Sequence, residues 1–482
     1  MVDVVFALAY VGLLLATLVV SRSAATTAIL VAFGVGVSGV ALQFLGTNDL
    51  TVRYDLLQWW LLATFVLILG AAAVLRRREP VRMTRTAWLL VVGSAAVVAV
   101  AFLASRLLAP GSPGPLTSVG YLISRGSAED NAKWLNAGAE LAGNIPISAW
   151  ANVGGPLLLL LTFAATLIST ASVLLYGGVN EVAVSAGTLV LSEMLLIVLA
   201  PFALAPLVEA RLRRTPGGRR FPIPWPLLLL SIVILVSGMT LLLNYGHLTL
   251  QYTLLILTLW MSTFLVWRRR GAALIATTLA VATTAEVWFP LSPVAALLLV
   301  GGVAAGVIAL LRRFRRRDVA IATGAFAVVL VLMWEFLTSS ISYSLGVGSG
   351  STAAMMTTVG GAVRGIVAAV VLPTLPLFSQ NGGSEVVSTL FAALTVAAVI
   401  GALLVLRDVG GRRYVLRFAP LAVLVGYTIL VTFADYFAVG KGPGYATNKL
   451  TWAIAVPALA ATLPIGLLAL DRGRRGMTSL RW

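Results

Sequence analysis

Two carboxylates, Glu129 and Asp130, stand side by side in the stretch YLISRGSAEDNAKWLNAGAELAGNIPISAW, with Lys133 just beyond them. A carboxylate within hydrogen-bond reach of an acceptor hydroxyl can take its proton as a general base. The plainer alternative is that acidic residues in a first helical turn complement the helix dipole. A second group lies in DYFAVGKGPGYATNKLTW, which gathers Asp435, Lys441, Tyr445 and Lys449 around glycines. Backbone amides and ammonium groups in a glycine-rich turn favour oxyanions, so this loop suits a phosphate. It lacks the GxxxxGK[ST] spacing of a nucleotide loop, and the plain alternative is lysines snorkelling toward lipid headgroups. Arg364 is a further isolated cation. A third group sits at the ends of apolar blocks: Glu286 before WFP, Glu335 in MWEF, and His247 with Asn244 after TLLL. Ionisable groups in such places are costly and call for a function. Glu193, inside VLSEMLL, reads as a structural hydrogen-bonding group or a proton site. With no cysteine and one histidine, thiolate and histidine-rich metal sites are excluded.

The elements that must position these residues are written in the composition. The chain has 482 residues, 60% hydrophobic and only 11% charged, with mean hydropathy +1.00. A soluble domain carries about 25% charge, and a bilayer-spanning helix needs ~20 mostly apolar residues. Long apolar blocks recur throughout, which excludes soluble folds and also the short alternating strands of a membrane barrel. The fold class expected is all-α, a polytopic transmembrane helical bundle. The net charge of +17 follows from arginine clusters between blocks, the positive-inside pattern of a membrane protein, with no nucleic-acid partner implied. The first block lacks a basic leader and cleavage site and reads as a retained helix.

Placing every arginine cluster in the cytoplasm puts the N-terminus outside and the C-terminus inside the plasma membrane. About 13 spanning helices are then expected, at 2–20, 26–45, 56–75, 87–107, 182–206, 226–244, 248–267, 272–289, 293–311, 319–337, 385–406, 417–437 and 451–470. Residues 1–107 form a four-helix segment, 108–181 an outer loop, and 182–482 a core with outer loops 338–384 and 438–450. Parity requires that Gly154–Tyr176, which opens with GGP, enters from outside without crossing, as non-spanning backbone lining a cavity does. Gly361–Leu377 reads the same way. A helix is expected from Ser127, with Trp134, Ala137 and Leu141 forming an apolar stripe suited to the membrane interface. Polar chemistry then concentrates on the outer face, while the cytoplasmic loops are short, basic and plain.

A long outer loop bearing an acidic pair, an interfacial helix, a Gly-Pro-opened non-crossing helix and many apolar helices after it resemble the C-type glycosyltransferase (GT-C) fold. The closing YATNKLTW resembles the late loop of actinobacterial multi-spanning members. The resemblance implies transfer of a sugar from a polyprenyl-phosphate donor to a cell-envelope glycan or lipid acceptor on the outer face. It implies Asp130 or Glu129 as the catalytic base, with Lys449, Lys441, Arg364 and Tyr445 holding the donor phosphate. Lys133, Asp435, Glu335 and His247 are substrate-binding candidates. The resemblance names no metal ligand and leaves a divalent cation (Mg or Mn) open as an assistant. Four helices precede the acidic loop here, three more than the family has, and no large soluble domain is expected at the C-terminus. A lipid-linked oligosaccharide flippase or transporter, and a surface-polysaccharide polymerase or ligase, are the competing classes.

The topology is testable in a cysteine-free background. In intact cells an impermeant thiol reagent should label Ser127→Cys and spare Thr215→Cys; the reverse pattern inverts the orientation.

Overall fold

The computed structural model describes residues 2–47, 52–78, 91–97, 99–100, 128–144, 154–179, 181–212, 225–243, 248–266, 271–312, 316–347, 385–439 and 445–474. Among them the chain is helical, without strands. The helices are α1 (Val2–Ser21), α2 (Ala24–Thr47), α3 (Tyr54–Arg78), α4 (Ala128–Ala142), α5 (Gly155–Tyr176), α6 (Glu181–Ala203) and α7 (Ala205–Leu212). They continue with α8 (Trp225–Leu243), α9 (Leu248–Val266), α10 (Gly271–Val287), α11 (Ser292–Leu311), α12 (Arg316–Val347), α13 (Glu385–Gly410), α14 (Ala419–Val439) and α15 (Tyr445–Arg474). Eight of the described helical stretches are long and apolar enough to cross a membrane. The chain is therefore a helical, multi-pass membrane protein in character. Seven of these eight coincide with expected spans; the eighth is Gly155–Leu174.

Two boundaries differ from expectation. The expected outer loop 338–384 begins later, because α12 continues to Val347. Thr338 and Ser339 lie within the continued helix and donate their hydroxyls to carbonyls one turn back, including Glu335 O at 3.0 Å. The expected span 182–206 is broken at Leu204, after Pro201, and resumes as α7. Pro201 cannot donate to the preceding turn, which weakens the ladder at that point.

The bundle has two distinct ends. At one, Ser23 and Ala25 at the start of α2 bind Glu209 of α7, and Ser262 near the end of α9 donates to Ala203 O of α6 at 2.7 Å. Arg417 donates to Leu265 O, at the end of α9, at 2.8 Å. The turn holding Arg22, the end of α3 with Arg76 and Arg77, and the α11–α12 turn with Arg312 and Arg317 lie toward this same end. At the other end the first turns of α1 and α3 meet the last third of α5, through Asp3, Gln58 and Ser169. We call these the basic end and the N-terminal end.

Close backbone approaches set how the helices cross. Gly39 of α2 faces Gly155 and Pro156 at the start of α5, so a Cβ on either glycine would meet the other helix's backbone. Gly154, at φ 79°, passes against the Glu286 carbonyl of α10. Gly39 lies about two turns before the end of α2, so α5 begins partway along α2. Ser169 of α5, by contrast, bonds Asp3 at the N-terminal end. Gly138 of α4, a helix-weakening residue when judged alone, sits on the Ser185 backbone, where a Cβ would come within 2.7 Å of the carbonyl oxygen. Beside it Trp134, Ala137 and Leu141 are buried against the bundle. That corrects their reading as a membrane-interface stripe: they pack on α6 and α5.

Overpacking at a closed contact typically costs about 1–3 kcal/mol. Gly39→Ala is expected to destabilise by that amount, whereas Gly12→Ala, with open space around it, should gain about 0.5–1 kcal/mol from helix propensity. Reversible unfolding in mixed micelles checks both; equal responses would contradict the Gly39 crossing.

Candidate functional site

A polar pocket of about 240 Å³ opens at the N-terminal end between α1, α3, α5 and the end of α4. Asp3 is its centre. Gln58 Nε2 donates to one Asp3 carboxylate oxygen and the Ser169 hydroxyl to the other, each at 2.7 Å. Both donors are 3% exposed, so the carboxylate is oriented by groups that water cannot replace. Tyr54 Oη and Thr166 Oγ1 share a hydrogen bond at 3.0 Å. Asp55 and Asn144 stand exposed at the rim, where the Asp55 amide donates to Asn144 Oδ1 at 3.4 Å. Val2, Val179 and Val184 supply apolar wall. Among the described residues lining it there is no lysine or arginine.

Beneath this pocket lies an aromatic layer. Tyr10 of α1, Phe65 of α3 and Phe163 of α5 pack with ring centroids 5.7–6.1 Å apart. Tyr10 donates its hydroxyl to the Gln58 carbonyl at 2.8 Å, tying the layer to the pocket. Phe65 and Phe163 are also the roof of a second cavity, of about 340 Å³, walled by aliphatic side chains of α1, α2, α3, α5, α6 and α9. Leu14, Val31, Leu159, Leu196 and Ile256 are among them, and Leu15, 54% exposed, stands at its edge. The order from the N-terminal end inward is thus polar pocket, aromatic layer, apolar cavity.

Two buried glutamates stand at helix starts. Glu209, 4% exposed, accepts from the Ser23 hydroxyl at 2.8 Å and the Ala25 amide at 3.0 Å, capping α2 from 186 residues away. Glu286, 7% exposed, has no hydrogen-bond partner for either carboxyl oxygen among the described residues. It lies near the Gly155 amide, in the first turn of α5, and near Tyr252, which lines the apolar cavity.

The acidic pair and Lys133 are on the first turns of α4, whose opposite end borders the polar pocket. Asp130 and Ala142 are 12 residues apart, or about 18 Å along a helix. Tyr445 and Lys449 open α15, which packs chiefly on α13, α9 and α8, while α4 packs on α6, α5 and α3. The backbone therefore does not bring α4 and the start of α15 into one pocket. Asp435 lies near the end of α14, and Glu335 is exposed on α12. Lys441, Arg364 and His247 lie outside the described residues, as do Ser127 and most of 87–107. Glu193 is buried within α6. Among the described residues no group of three His, Cys, Asp or Glu could hold a metal ion.

Sequence reasoning passed over Asp3, Gln58 and Ser169. The signal was there in Gln58 and Asp3, two polar side chains inside apolar spans, which are rare enough to ask for a partner. The expected cost of Gln58→Leu is about 1.5–3 kcal/mol, since it strips a buried donor from a carboxylate. Tyr10→Phe should cost about 1 kcal/mol. A double-mutant cycle of Gln58→Leu with Asp3→Asn should be non-additive; additive losses would mean the 2.7 Å contact carries no energy.

Against models of known protein families, curated proteins and solved structures, the chain matches none.

Proposed function

We propose that this protein is a membrane glycosyltransferase that moves a sugar from a polyprenyl-phosphate donor to a cell-envelope glycan or lipid acceptor, in the manner of GT-C enzymes. One observation carries the reading: a polar pocket stacked through an aromatic layer on an apolar cavity, all on the same helices. That sequence of environments matches an amphipathic substrate, with a hydrocarbon chain below and a polar head above. Its position away from the arginine-bearing end supports chemistry on the outer face of a plasma membrane, with the N-terminus outside and the C-terminus in the cytoplasm. The start of α5 on Gly39, partway along α2, supports a helix that enters without crossing, within a bundle of about 13 spans.

In this reading Asp130 or Glu129, on the first turn of α4, at the opposite end of that helix from the pocket, takes the proton of the acceptor hydroxyl. Fixed positive charge from Lys449, Lys441 and Arg364, with Tyr445 beside them, stabilises the leaving phosphate. Such charge is worth several kcal/mol where water is excluded. A divalent cation, Mg or Mn, would neutralise the same phosphate in place of a lysine. Lys133, Asp435, Glu335 and His247 are left as contacts to donor or acceptor.

A second reading, transport of a lipid-linked glycan, is favoured by Glu286. A buried carboxyl beside a helix start inside the bundle is the kind of ionisable group that carries a proton or ion site in a transporter.

The deciding experiment is sugar transfer from a polyprenyl-phosphate donor in liposomes. If Asp130 is the base, Asp130→Asn should lower the rate by roughly 10²–10⁴-fold with little change in substrate binding, and Glu129→Gln should do less. Leu196→Trp, which fills the apolar cavity, should raise the KM for long-chain donors more than for short-chain ones. Wild-type rates in both carboxylate variants would remove them from the site. Flux without transfer in the unaltered protein would establish the transport reading instead.

A further inference from the structure

We infer that the Asp3 pocket binds a neutral polyhydroxyl group, a sugar ring, and that it does so through Asp3, Asp55 and Asn144, none of which is in the transfer machinery above. The inference rests on the lipid-substrate reading for the origin of that ring and on the pocket alone for its chemistry.

Charge excludes one class of ligand first. The pocket presents two carboxylates and, among the described residues that line it, no cation. A phosphate there would meet like charge with no compensating donor fork. The head of a polyprenyl-phosphate lipid can therefore enter by its sugar end only.

The donor and acceptor pattern bears on a second class. An ammonium group would pair with the two carboxylates but would leave the donors of the Asn144 amide unused. Here Asp3 and Asp55 supply acceptors, the Asn144 side-chain amide supplies both kinds, and the Tyr54 phenol, whose hydrogen goes to Thr166, supplies a further acceptor. Sugar hydroxyls, which donate and accept, use such a mixture in full. Asp3 is also spoken for in the way a hydroxyl site requires. Gln58 and Ser169 each donate to one of its oxygens, so its orientation is set before a ligand arrives, and its remaining lone pairs face the pocket. Val2, Val179 and Val184 give the apolar surface against which the C–H face of a ring can lie.

The test uses the full chain in lipid nanodiscs and equilibrium binding of tritiated octyl β-D-glucoside, with octyl phosphate and octylamine as competitors. The shared octyl chain gives the apolar cavity the same contribution in each, so the ranking reports the head group. The glucoside should bind, and the phosphate and the amine should each compete at least about tenfold more weakly. Asp3→Asn should weaken glucoside binding about tenfold or more, as expected for a charge-assisted hydrogen bond to a hydroxyl. Because Asp3 also ties three helices together, Asp55→Asn and Asn144→Ala are measured beside it. Both sites are exposed and leave the Gln58–Asp3–Ser169 contacts in place, and each should weaken binding several-fold. Methyl β-D-glucoside, with the same head and no chain, separates a lipid-borne sugar from a free one: weaker competition than the octyl compound assigns the lipid source. Stronger competition by the phosphate or the amine overturns the inference, and so does glucoside binding that none of the three substitutions changes. Asp3-dependent glucoside binding in a protein that transfers no sugar would sustain the pocket and defeat the transferase reading.

Discussion

A helix that starts in apolar surroundings exposes amide hydrogens that no water can satisfy. Two such starts stand out among the described helices, and the architecture depends on how they are met. At α2, the Glu209 carboxylate reaches the Ser23 hydroxyl and the Ala25 amide, binding the first hairpin to α7 across 186 residues. At α5, glycines bring the chain so near α2 and α10 that no side chain intervenes, and Gly154 itself has no side-chain cap. Glu286 stands beside that start with its oxygens otherwise unpartnered. Negative charge at a helix N-terminus is favoured by the exposed amides and by the dipole together. Glu209 therefore answers an electrostatic need created by a helix end.

The consequences spread outward from α5. Because it begins at Gly39 and ends beside Asp3, α5 brings Phe163 beneath and Ser169 within reach of Asp3. One helix thereby supplies a wall to the apolar cavity, a ring to the aromatic layer and a donor to the polar pocket. Tyr10 plays the matching part on α1, with its ring in the layer and its hydroxyl on Gln58. The graded environment is a property of three helices held in one crossing, and the crossing is a property of backbone contact at glycine.

The same physics separates structural polarity from chemical polarity. Many buried threonines and serines return their hydroxyls to the carbonyl one turn back, as Thr162, Thr188 and Thr258 do, and so need no partner from elsewhere. Asp3 differs because its partners come from two other helices. A carboxylate that gathers long-range donors at the mouth of a pocket is a better candidate for recognition than a hydroxyl satisfied within its own turn.

Helix type, membrane character and the gathering of arginines toward one end were legible in the sequence, because each rests on local composition: apolar runs of spanning length, and charge excluded from them. The GGP opening of α5 was legible too, since only glycine tolerates such close passage. What composition could not convey was which polar side chains meet. Asp3, Gln58 and Ser169 are more than fifty residues apart at the nearest, and each looks minor within its own apolar run. Trp134, Ala137 and Leu141 have the periodicity of any buried face, and whether that face meets lipid or protein is decided by the arrival of α6. Glu209 was hidden among arginines and acquired its meaning only when α2 began beside it. The sequence by itself determined where the chain is apolar and where it is charged; tertiary structure decided which ends meet, because burial in apolar surroundings makes every unpaired polar group seek its partner in space and not along the chain.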